Sequence, residues 1–166
     1  GDNPTAGGVG SRIDVLEHVF KNKIENTLFA GIYNEEIFRE LKNKKNKIVI
    51  KDSISKKKIS ISIDKFYLKN DNAIVNSNIN TVIFTKYRKP FHYLSDFSEL
   101  NINLKKYKIL IVKSGYLSPE LKKLKADNFM ILTDGFVTQD FKRIKNLFRE
   151  KPIYPFQKNF RYNIAI

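Results

Sequence analysis

The chain contains no cysteine and no tryptophan, and only one methionine. Without cysteine there is neither a disulfide framework nor a thiolate metal site. The same lack fits a reducing compartment, so a cytoplasmic location is expected. Histidine is almost as scarce: His18 and His92 are the two present. Neither stands in metal-ligand spacing with another histidine or a carboxylate, and both read as surface or structural residues. No run approaches the roughly 18 consecutive apolar residues of a membrane span. The opening residues have neither the basic start nor the apolar middle of a signal peptide. Also missing are a Gly-x-Ser-x-Gly nucleophile turn and a Gly-x-x-x-x-Gly-Lys phosphate loop. These absences leave no complete catalyst. There is no initiator Met either, and the chain opens inside what reads as a loop, so a fragment of a longer protein is expected.

What is present is enough for one domain spanning residues 1–166, with 13 Phe and 8 Tyr as bulky core material. The formal net charge is +14, which raises nucleic acid or another anionic partner as a candidate. The basic residues are mostly Lys, however, and they are spread along the chain. The runs Lys42-Asn43-Lys44-Lys45 and Lys56-Lys57-Lys58 fall at turns between apolar segments, where solvated lysines belong. A solvated surface is the better reading, and nucleic acid the less favoured one.

Hydrophobic periodicity divides the chain. Apolar residues at helical spacing predict a first helix over residues 12–24, with Ser11 and Asp14 resembling a capping box. The nearly continuous run Thr-Leu-Phe-Ala-Gly-Ile-Tyr at 27–33 predicts a strand covered on both faces. Asn34 can cap a second helix carrying Ile37, Phe38 and Leu41 inward. Residues 46–87 then alternate apolar and polar side chains with short polar turns, which predicts an antiparallel β insert. A buried strand returns at 108–112, followed by a short helix with Ser118 as cap and Pro119 at its first position. A further strand is expected at 128–133, a last helix at 138–148, and an extended tail at 151–156. The fold class is α/β: a partly parallel sheet flanked by helices, with the antiparallel insert in the middle.

Two segments stand out as candidate sites. Asp2-Asn3-Pro4-Thr5-Ala6-Gly7-Gly8 precedes a helix closely, so backbone N–H groups could converge on an anion or a polarised carbonyl. A tight turn needing positive φ explains the glycines equally well. Lys113-Ser114-Gly115-Tyr116 follows a buried strand and precedes a helix, which in an open α/β sheet is the edge where ligands bind. Its bland alternative is a solvated lysine beside a core tyrosine. Asp64, Asp71 and Asp96 stand isolated in strand or turn contexts, where solvated or turn-capping roles are the default.

Four motifs occur in one order: Asp2 to Gly8; Val112 to Leu117 with Pro119; Leu132-Thr133 with Gly135 and Gln139-Asp140; and Pro152-Ile153-Tyr154-Pro155. Together they resemble the C-terminal domain of the microcystinase C family of zinc metallopeptidases. The chain departs from that pattern at Gly10-Ser11-Arg12-Ile13, where the family tends to carry Gly-Asp-x-Thr, and at Gln157, where it usually has an acid. The resemblance implies a larger N-terminal domain holding the zinc, and a small peptide or amide as substrate. This chain would be the accessory partner, inactive alone and holding no zinc itself. Asp2, Asn3, Gly7, Gly8, Lys113, Ser114 and Tyr116 would form its substrate-binding surface, and a homo-oligomer is compatible with such a domain. A purely structural domain that stabilises an oligomer is the third reading.

Overall fold

The computed structural model describes residues 2–43, 46–52, 54–137, 139–140 and 143. A 3-10 turn at Pro4–Ala6 is followed by α1 (Asp14–Lys21), β1 (Thr27–Tyr33) and α2 (Glu36–Lys42). Next come β2 (Lys47–Lys51), β3 (Lys58–Ser62), β4 (Lys65–Lys69), β5 (Asn72–Ser77) and β6 (Asn80–Thr85). The described part closes with α3 (Leu94–Ser98), β7 (Ile109–Val112) and α4 (Pro119–Lys122). None of these helices is long and apolar enough to cross a membrane.

Five strands form one sheet in the order β4-β5-β6-β1-β7. β1 runs parallel to both β6 and β7, while β4, β5 and β6 are antiparallel neighbours. The antiparallel segment expected at 46–87 therefore has two destinations. β2 and β3 pair as a separate ribbon, and β4, β5 and β6 extend the main sheet itself.

Burial explains why β1 reads as an unbroken apolar run. Phe29 and Ile32 join α1, α2 and the ribbon on one sheet face, through Leu16, Leu41, Ile48, Ile50 and Ile61. Leu28 and Ala30 point to the other face, where Phe91, Phe97, Leu100 and Leu121 close the second core. The strand changes register between Ala30 and Ile32. The residue between them, Gly31, has φ +85° and would bring any Cβ within 3.0 Å of the Phe91 ring. Only glycine suits that point.

Several expectations are corrected. α1 is shorter than 12–24, and the Ser11–Asp14 capping box does not form: the Ser11 hydroxyl is buried without a hydrogen bond. Carboxylates distant in sequence hold the residues just before the helix instead, Asp2 at the Arg12 N–H and Asp52 at the Ile13 N–H. Residues 128–133 form no strand, and Phe129, Met130, Ile131 and Leu132 are 85, 57, 59 and 55% exposed. A strand needs a paired neighbour, and β7 has only β1 beside it among the described residues. The helix α3 was not anticipated; it is short, and its sequence Leu-Ser-Asp-Phe-Ser carries too little periodicity to read. Asn34 does cap α2, accepting from the Ile37 N–H at 3.3 Å. The expected helix at 138–148, apart from 139, 140 and 143, and the tail at 151–156 lie outside the described residues.

Candidate functional site

The carboxyl ends of β6, β1 and β7 share one edge of the sheet, because the three strands are parallel. The glycine loop sits on this edge: the Gly10 carbonyl accepts from the Tyr33 N–H at the end of β1, at 3.0 Å. Lys113 emerges beside it from the end of β7. The two segments singled out in the sequence therefore meet, 111 residues apart.

They meet through a buried ion pair. Lys113 Nζ donates to Asp2 Oδ2 at 3.0 Å, to the Gly10 carbonyl at 2.9 Å, and to the Arg12 carbonyl. An ammonium has three protons, and all three are taken. Burial pulls the Lys113 ammonium below the usual lysine range, and the Asp2 carboxylate opposes that pull. Asp2 in turn accepts from the Gly10 N–H at 2.9 Å and the Arg12 N–H at 2.7 Å. The loop does gather backbone N–H groups around an anion. That anion is the chain's own Asp2.

The rest of the loop is similarly engaged. Asn3 Oδ1 accepts from the Thr5 hydroxyl and the Ala6 N–H, both at 2.9 Å. The Gly8 N–H donates to the Asn3 carbonyl at 2.9 Å. A Cβ on Gly8 would lie 2.7 Å from that same carbonyl oxygen, which explains the glycine. Gly7 differs: it has φ +89° and faces open space, with Arg88 Nη1 3.5 Å from its carbonyl.

The β7 end locks onto the loop at Gly115. Its N–H donates to the Thr5 hydroxyl at 3.2 Å, and its carbonyl accepts from Gln139 Nε2 at 2.7 Å. The Ser114 hydroxyl donates to the Tyr116 carbonyl at 2.6 Å and lies 2.9 Å from His92 Nε2. Because the hydroxyl proton is committed to the carbonyl, this network assigns the donor proton of the second bond to His92 Nε2. The His92 ring also packs against the half-exposed Tyr116 ring, 5.2 Å between centroids. Asp96 anchors the neighbouring backbone, accepting from the His92 and Tyr93 N–H groups at 2.9 Å each.

Residues that the sequence reading passed over complete the support. Asp52, buried at the end of β2, accepts from the N–H groups of Ile13, Ile54 and Ser55. Burial pushes its carboxyl up, but these backbone bonds outweigh it, and the pKa falls from 3.8 to about 2. Arg12, also buried, lies 3.2 Å from Asp14 and 3.6 Å from Asp52. Asp2, Asp14 and Asp52 thus surround the start of α1, where the helix dipole favours negative charge. An aspartate followed by Ser53 and Ser55 reads as a turn; its reach to Ile13 does not show in sequence.

Behind this wall lies a cavity of about 800 Å³. Asp2, Asn3, Lys113, Ser114 and Gln139 border it, and its apolar lining includes Val15, Val19, Leu110 and Leu121. The described residues do not suit a metal: no three His, Asp or Glu side chains are placed so that they could hold one ion together. His18 is exposed beside Asn22, His92 is turned to Ser114, and Asp2 is saturated by donors.

A family model described as MlrC C-terminus matches residues 52–146. The fold is similar to the crystal structure of a "Putative metallopeptidase" from Mesorhizobium sp. BNC1, at 12% identity and a TM-score of 0.66. That similarity covers 98% of this chain and 37% of the Mesorhizobium chain. No curated protein matches the sequence.

Proposed function

This chain belongs to the MlrC C-terminus family, and we propose that it is the C-terminal accessory domain of a zinc metallopeptidase acting on small peptides or amides. The zinc would belong to a preceding domain, in keeping with a chain that spans 37% of the similar structure's length. There it would polarise the scissile carbonyl and activate water. This chain would supply one wall of the cleft, in a cytoplasmic protein.

The observation that carries this reading is the joining of the glycine loop and the Lys113 strand end at one sheet edge. Within it the named residues divide into two roles. Asp2 and Lys113 spend their polar atoms on each other and on backbone, and Asn3 Oδ1 is taken by the Thr5 hydroxyl and the Ala6 N–H, so the three fix the wall's shape. Gly7, Ser114 and Tyr116 form the surface offered to substrate, with the exposed Gly7 and Tyr116 leading, while the buried Gly8 shapes the loop beneath them. His92 supports Tyr116 from behind.

The test uses the complete protein. Tyr116→Ala should raise KM for a small peptide about tenfold, the loss of roughly 1.4 kcal/mol of binding, with metal content unchanged. Unchanged kcat/KM would remove this edge from the cleft.

A further inference from the structure

The parallel strands bring three segments to one edge: the end of β7, the glycine loop over the end of β1, and the residues that follow β6. The third segment, Lys86-Tyr87-Arg88-Lys89, is rich in cations. Their counter-charges differ. Lys89 Nζ lies 3.1 Å from Asp96, and Lys86 Nζ lies 3.9 Å from Asp71. Arg88 is exposed and has no acidic partner among the described residues. Its Nη1 reaches the Gly7 carbonyl at 3.5 Å instead.

We propose that Arg88 is a carboxylate-binding residue of this edge, and that the substrate is a small peptide carrying a carboxylate, at its C-terminus or on a side chain. This rests on the reading of the edge as a cleft wall and adds the chemical class of what the wall receives.

Three observations carry the proposal. The first is charge. The other cations around this edge are compensated within the chain: Lys113 by Asp2, Arg12 by Asp14 and Asp52, Lys89 by Asp96. Arg88 is left as a positive charge that an incoming anion can neutralise.

The second is donor capacity. A guanidinium has five N–H donors in a planar fork, and the Gly7 carbonyl engages Nη1 alone, at the long limit of a hydrogen bond. Enough donors remain to take both oxygens of a carboxylate side by side. Most of the chain's basic residues are lysines, which suffice to solvate a surface. An arginine here adds the fork.

The third is space. Gly7 has φ +89° and nothing within 4 Å of the point where a Cβ would stand. A peptide can therefore approach the loop backbone closely beside the guanidinium. The contact with the Gly7 carbonyl ties Arg88 to the loop that the Lys113–Asp2 pair holds in place.

Titration of the 166-residue chain, followed by NMR at the Arg88 side-chain N–H and the Gly7 amide, tests this. The probes are N-acetyl-trialanine with a free carboxylate, N-acetyl-trialanine amide, and N-acetyl-Ala-Glu-Ala amide. They separate a C-terminal from a side-chain carboxylate. At least one of the two acids should bind saturably, about tenfold or more tighter than the neutral amide. Arg88→Lys keeps the charge but loses the fork, and should weaken that binding about fivefold or more. Lys86→Gln removes a charge and should leave it within about twofold. Equal affinity for acids and amide would overturn the proposal, as would binding unchanged in Arg88→Lys. Shifts spread evenly over the surface lysines would also overturn it, as general attraction to a chain of charge +14. Tyr116→Ala in the complete protein separates the two readings. If it lowers kcat/KM while neither acid binds at Arg88, the carboxylate proposal alone is overturned. If an acid binds at Arg88 while Tyr116→Ala changes nothing, the cleft reading is overturned, and the substrate assignment with it.

Discussion

At the scale of single residues, the decisive groups are ionised side chains turned inward. Asp52 is the clearest. Its carboxyl is lowered from 3.8 to about 2 in the folded chain, so the fold favours the charged form. That contribution is fully present above about pH 4 and is lost as pH falls through about 2. It amounts to about 2 kcal/mol. Asp52→Asn should therefore lower stability at neutral pH and flatten its dependence below pH 4, as urea midpoints measured across that range would reveal. Lys113 makes the complementary case. Replacing it with Met leaves the buried Asp2 carboxylate without its counter-charge and two carbonyls without their donor. The expected loss is about 3–5 kcal/mol. The double variant Asp2→Asn, Lys113→Met should lose less than the sum of the two single changes; additive losses would mean that the pair is not coupled.

Elements behave differently, because their stability comes from shared apolar faces. The β2–β3 ribbon shares no backbone ladder with the main sheet, though the Ser62 and Ser77 hydroxyls are hydrogen-bonded at 3.3 Å between them. It is held through Ile48, Ile50 and Ile61, which are essentially fully buried against the core of α1 and α2. Ile50→Ala should cost about 2–5 kcal/mol. Val49→Ala, half exposed on the opposite side of the same strand, should change stability by no more than about 0.5 kcal/mol. Equal effects at both positions, in the same denaturation assay, would contradict this packing. Such alternation is also why β2 and β3 are legible in sequence. α3 and the approach to α1 are not: the first is packed into the core through Phe97, the second is held by Asp2 and Asp52 at the Arg12 and Ile13 N–H groups.

For the whole molecule, charge and metal content are the properties to measure. The net charge of +14 would produce nucleic-acid binding that weakens steeply between low and physiological salt, if such binding occurs at all. The accessory-domain reading predicts no tight binding of that kind. It also predicts that the 166-residue chain takes up no stoichiometric zinc, since no three of its described His, Asp or Glu side chains are grouped to hold one ion. One equivalent of zinc by elemental analysis would overturn that assignment. The family match and the similar fold support a peptidase-associated domain.

The sequence alone determined the α/β class, the both-faces-buried β1, the strands of 46–87 and the two candidate segments that the fold brings together. These are local signals, set by period, by runs of apolar residues and by turn chemistry. Only the tertiary structure decided what the glycine loop binds. Its anion is Asp2, locked by a lysine 111 residues away, and no local pattern encodes a partner at that distance. Tertiary structure likewise divided the antiparallel segment between ribbon and sheet, because that choice depends on which helices are available to cover each face.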